Sequence, residues 1–118
     1  MPRHNFKKLD IWKESMNLID ATYSVTSTFP DYEKYGLRSQ MNRCSVSIAS
    51  NIAEGTSKST DKHLVKYLED SLGSAFEWET QLNVIRRQDF ITEIKFKELE
   101  DDIIRLQKKI YNFIERFK

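Results

Sequence analysis

Apolar residues recur along this chain at intervals of three and four, the spacing that aligns one face of an α-helix. Trp12, Met16, Ile19 and Tyr23 form such a face within a first predicted helix, Leu9 to Thr28, which Pro30 stops. Ile11, Leu18 and Val25 make a second stripe at intervals of seven, about a third of a turn away. A second predicted helix, Glu33 to Glu54, carries Leu37, Met41, Cys44, Ile48 and Ile52 on one side. The third, Asp61 to Arg87, aligns Leu64, Leu68, Ser71, Ala75, Trp78, Leu82 and Ile85, with Ser59 or Thr60 placed to cap it. The fourth follows a Thr92 cap with Phe96, Leu99, Ile103, Leu106, Ile110, Phe113 and Phe117, a heptad seam. Four long helices with connections of about five residues imply an all-α, antiparallel up-down four-helix bundle.

More apolar surface is present than one core requires. Helix 1 has two stripes, and helix 3 adds a lateral set, Val65, Leu72 and Phe76. The part not covered inside the bundle is expected to meet other subunits, since large exposed apolar patches tend to mark interfaces.

Composition agrees with a helical reading. The 118 residues include only three Gly and two Pro, with 31% charged residues. Residues 1–118 form one domain, with a short basic N-terminal arm at 1–8. A net charge of +1 neither favours nor opposes a polyanionic partner. The single cysteine, Cys44, rules out an internal disulfide and fits a reducing compartment. No apolar leader opens the chain, and nowhere do more than two apolar residues adjoin, so the expectation is a cytoplasmic protein without a membrane span.

The segment "SIASNIAEGTSKST" suggests a reactive loop, but its residues fit helix and turn roles. Ser45, Ala49 and Ala53 form a small-residue ladder that lets a neighbouring helix approach. Gly55 suits a helix C′ position, and "TSKST" suits a turn and cap. A phosphate-cradling loop needs more glycine than this. Glu54 breaks a local rule, because it places negative charge at the negative end of a helix dipole. Arg43, Lys58 or Lys62 is the expected ion-pair partner, with backbone capping as the alternative.

"YGLRSQMNRCSVSIASNIAEG", "GSAFEWETQL", "FKKLDIWKESMNLI" and "TFPDYEKYGL" together resemble the proteins encoded in intervening sequences of bacterial 23S ribosomal RNA genes. The resemblance covers nearly the whole chain. It extends to the accessory variability proteins of diversity-generating retroelements, bundles with basic surfaces that bind nucleic acid. It implies a cytoplasmic homopentameric ring with no enzymatic activity attached. By position, Gln40, Arg43, Ser47, Asn51, Glu54, Gly55, Gly73, Ser74 and Glu77 match the family pattern, whereas Asn42 stands where arginine is common and thins the basic surface. Gly73, opposite the core stripe of helix 3, fits a close-approaching neighbour chain.

Catalysis finds little support. Neither His4 nor His63 follows a Glu by three residues, as a di-iron bundle requires, and one Cys with two His is too few for structural zinc. A Cys44–His63 dyad is disfavoured because Cys44 lies in the apolar stripe of helix 2. A helix-turn-helix reader is disfavoured by the length and the acidic middle of helix 3. No cofactor, metal or small-molecule substrate is expected. Two readings remain: a scaffold for RNA or DNA, contacted by Arg3, Lys7, Lys8, Lys13, Arg38, Arg43, Lys58, Lys62, Lys66, Arg86 and Arg87, and a protein-interaction module holding its own copies or a partner helix.

Overall fold

A computed structural model describes residues 5–118. It contains α1 (Asp10–Thr26), α2 (Leu37–Thr56), α3 (Asp61–Arg87) and α4 (Glu93–Glu115), with short 3-10 turns at Phe6–Lys8 and Asp31–Glu33. Lys7 and Lys8 of the expected arm lie in the first of these turns; Arg3 and His4 lie outside the described residues.

Contacts between helices fix their directions. Along α2, Cys44 and Ser47 meet Ser74, Ile48 meets Ser71, and Gly55 meets Leu64, so α3 runs opposite to α2. Glu79 meets Gln107 and Glu69 meets Lys118, which sets α4 against α3. Asp10 pairs with Lys109 and Glu14 with Arg105, which sets α1 against α4. The helices therefore occupy the corners of the bundle in chain order, up, down, up, down.

Predicted and observed boundaries coincide for α3. Thr60 caps it, accepting the His63 N–H through its side chain, and Thr92 caps α4 in the same way at Lys95. Helix 2 begins later than its sequence suggests, because residues 31–33 form a separate 3-10 turn and Gly36 breaks the path before Leu37. The α1–α2 connection is accordingly longer than about five residues. Helix 2 also ends later. Gly55 is not a left-handed C′ residue but lies inside the helix, buried against α3. A Cβ there would stand 3.2 Å from Leu64 Cδ1 and from Tyr67 Cβ, so glycine is what lets the two helices come this close. The left-handed cap falls at Asp89 (φ 62°), after α3, where Phe90 N–H donates to Ile85 O and Asp89 N–H to Arg86 O.

The seven predicted α3 core residues are all buried, as are Met41, Cys44, Ile48 and Ile52 of α2 and the α4 seam through Phe113. Helix 1 departs from expectation. Its core side is the second stripe, Ile11, Leu18 and Val25, interleaved with buried Ser15, Thr22 and Thr26. Met16 and Tyr23, from the stripe first aligned, are 37% and 50% exposed. The cause is Trp78, fully buried at the centre, whose Nε1–H donates to Thr22 Oγ1 at 3.1 Å. Small hydroxyl residues leave room for the indole. Ser15 and Thr22 meet their own donor needs at Ile11 O and Leu18 O, both at 2.6 Å.

Candidate interaction surfaces

Three surfaces stand out: a polar seam between α2 and α3, apolar edges at α1–α2 and α3–α4, and basic residues spread over the bundle.

The seam is built by short polar side chains. The Ser47 and Ser74 hydroxyls share a 2.9 Å hydrogen bond, and Asn51 Nδ2 donates to Ser47 O at 3.0 Å and to its Oγ at 3.1 Å. Ser71 Oγ donates to Ile48 O at 2.7 Å, and the Cys44 thiol donates to Ser74 O at 3.1 Å. These bonds let α2 and α3 pack closely while satisfying buried polar groups. Above them Gln40, Arg43, Cys44, Ser47 and Glu77 line a shallow groove of about 290 Å³. Burial first, and then the charge and hydrogen bonding of the neighbouring Glu77 carboxylate, together push the Cys44 thiol up to about 12. Such a thiol stays protonated and makes a poor nucleophile.

Of the nine family-pattern residues, Gln40, Arg43, Ser47, Asn51, Ser74 and Glu77 are thus gathered on one strip, and Gly55 continues it. Glu54 and Gly73 stand apart. Glu54 is exposed at the end of α2 and forms no ion pair among the described residues, so the expected partnership with Arg43, Lys58 or Lys62 is not made. Lys58 instead lies over the Tyr67 ring at 4.7 Å, and Lys66 approaches the same ring at 5.5 Å. Gly73 is exposed, with nothing within 4 Å of where its Cβ would be.

The α3–α4 edge carries the clearest apolar opening. Leu72 and Phe76 of α3 and Ile104 and Tyr111 of α4 line a groove of about 440 Å³, rimmed by Gln107, Lys108 and Asn112. Phe76 is 54% and Tyr111 48% exposed. In this edge the lateral set Val65, Leu72 and Phe76 finds only partial cover. The tyrosine was not apparent from the heptad seam, because Tyr111 lies just off it.

The candidate basic contacts do not form one patch. Lys7, Lys8, Lys13, Lys58, Lys62 and Lys66 lie at the end of the bundle formed by the start of α1 and the α2–α3 connection. Arg38, Arg86 and Arg87 lie at the opposite end, and Arg43 sits midway in the seam groove. Arg38 is turned inward, donating to Phe29 O at 3.0 Å, and Arg86 pairs with Asp89 at 3.5 Å.

An antiparallel four-helix bundle closed by a serine-rich α2–α3 seam defines the class of this protein. The model of one family, the 23S rRNA-intervening sequence protein, matches residues 7–112, and the chain belongs to that family. A crystal structure of a protein of unknown function from the S23 ribosomal protein family of Bacteroides thetaiotaomicron is similar in fold. The TM-score is 0.81 at 19% identity, covering 88% of this chain and 97% of that one. None of the curated proteins matches this chain. No helix among the described residues is long and apolar enough to cross a membrane.

Proposed function

We propose that the chain acts as a non-catalytic, self-assembling bundle in the cytoplasm, a homo-oligomer and, following the family resemblance, a pentamer. The observation that carries this reading is the α3–α4 groove, where two large aromatic side chains half-exposed side by side lack cover in the single chain. The seam supports the non-catalytic part: Ser47, Ser71 and Ser74 are engaged helix to helix, and Cys44 is held protonated. The test is light scattering on the eluting protein. Wild type is expected to elute as a discrete oligomer, and Phe76→Glu with Tyr111→Glu as a monomer of unchanged helicity. A monomeric wild type would end this reading.

A second role, binding RNA or DNA, is favoured by six basic residues at one end of the bundle, which assembly would multiply. Anisotropy titration with structured RNA and duplex DNA tests it. Phosphate-driven binding is expected to weaken steeply with salt, whereas no binding at low salt leaves the lysines as solvated surface.

A further inference from the structure

We infer that the α1–α4 side is the gate of the bundle: an ionic clasp there lets the two helices part and bare the core while the other three sides stay closed.

Four charges form the clasp. Asp10 and Glu14 lie one turn apart on α1, and Arg105 and Lys109 one turn apart on α4, so antiparallel packing sets acid against base. Glu14 accepts from Arg105 Nε at 3.1 Å and from Lys109 Nζ at 2.6 Å, and Asp10 accepts from Lys109 at 3.2 Å. Glu14 is the hub and the most buried of the four. Its hydrogen bonds are the first cause that raises both cations above their ordinary range. Arg105 keeps a second partner on its own helix, Asp102 at 3.0 Å, so losing Glu14 does not strand its charge.

No other side of the bundle is closed this way. Among the described residues, every hydrogen bond between α1 and α4 is one of these ion pairs. The α2–α3 seam is held by neutral hydroxyl, thiol and amide bonds, and α1–α2 by Thr26 with Asn42. Between α3 and α4 the Gln107 amide donates to Ala75 O and to Glu79, and the Glu69–Lys118 ion pair lies beyond the end of α4.

Packing beside the clasp is thin. Helix α1 gives the core fewer apolar side chains than any other helix: Ile11, Leu18 and Val25. Asp10, Glu14 and Asn17 occupy its flank toward α4, and Trp12, Met16, Ile19 and Tyr23 the flank toward α2. Core side chains are therefore reached from outside along the α1–α4 side. Leu18 and Leu106 line a cavity of about 80 Å³ together with Glu14 and Arg105. Ile11 and Phe113 line one of about 350 Å³ together with Asp10 and Lys109. Thr22 bonded to Trp78 and Thr26 bonded to Asn42 hold the second half of α1, so parting begins in residues 10–18. Such local opening needs no global unfolding, and the screening of exposed pairs makes it respond to salt.

Alkylation by the neutral reagent iodoacetamide tests the gate in dilute, full-length protein. One variant, Leu106→Cys with Cys44→Ala, places a single thiol at the α1–α4 side, and wild type, with Cys44 alone, reports on the α2–α3 side. Global unfolding of each protein is measured in parallel. The gate requires that the thiol at position 106 react faster than global unfolding allows. In about 1 M salt it should react about three- to tenfold faster still, the factor that weakening a few exposed pairs gives. Adding Glu14→Gln should produce the same acceleration at low salt and remove most of the salt response, and Cys44 in wild type should show neither effect. Reaction at position 106 no faster than global unfolding, a salt response that survives Glu14→Gln, or equal acceleration at Cys44 overturns the gate. If Leu106→Cys does not fold, Leu18→Cys on the α1 wall of the same cavity reads the same opening.

Discussion

Gly55 and Gly73 each lie within a helix, yet their surroundings give them opposite expected behaviour. At Gly55 an added methyl meets Leu64 and Tyr67 at 3.2 Å, so Gly55→Ala is expected to destabilise by about 1–3 kcal/mol, the usual cost of overpacking. At Gly73 it meets open space, and Gly73→Ala should stabilise the isolated monomer by up to about 1 kcal/mol. Chemical denaturation of both variants at concentrations that keep the chain monomeric checks the pair of signs. Gly73→Leu, beside the exposed Phe76, is expected to harm assembly more than folding. Cys44 gives a pH-dependent test. Below about pH 9 the thiol is protonated in both folded and unfolded chains, and its burial costs nothing extra. Between there and about 12 only the unfolded thiol ionises, so stability falls as pH rises, by at most about 1.4 kcal/mol per pH unit. Cys44→Ser should remove that part of the slope in denaturation curves measured from pH 8 to 11. An unchanged slope would show that the thiol ionises freely in the folded protein.

At the scale of elements, the sequence was most legible where a helix has one apolar stripe and clear caps. Thr60 and Thr92 mark true starts, and the α3 and α4 seams are the observed core. It was least legible in α1, where two apolar stripes compete and periodicity cannot choose between them. The choice is made by the partner: Trp78 needs space and a hydrogen-bond acceptor, and only the side bearing Thr22 offers both. Thr22→Val, close in shape, is therefore expected to cost about 1–3 kcal/mol by leaving the indole N–H buried and unpaired, while Thr22→Ser should cost less. Thermal unfolding followed by Trp fluorescence and by circular dichroism reads the difference. The end of α2 departs from its local signal for a related reason. Glycine near a helix end suggests a left-handed cap, but here close packing on α3 uses the missing side chain, and the left-handed residue is Asp89. The seam was only half visible. The Ser45, Ala49 and Ala53 ladder follows Asn42 on the side of α2 toward α1 rather than toward α3, and the Ser47–Ser74–Asn51 bonds depend on the register of two helices, which no local pattern encodes.

For the whole molecule, the four helices account for their core and leave two opposite edges unaccounted for. The α1–α4 side is closed differently, by Glu14 with Arg105 and Lys109 and by Asp10 with Lys109. These exposed pairs hold the helices in register more than they stabilise them, and they weaken with salt. Apolar edges do not weaken in that way, so an assembly built on them is expected to survive high salt, in contrast to any complex with RNA or DNA. The excess of apolar surface was visible in the sequence. That it lies on two opposite edges was not, because sides of a bundle exist only once the helices are arranged. Sedimentation velocity across a wide concentration range tests the central claim most directly. The account requires one discrete assembly, of five chains by family likeness, that persists at high salt and dissociates only on dilution. A chain that sediments as a monomer throughout would contradict it.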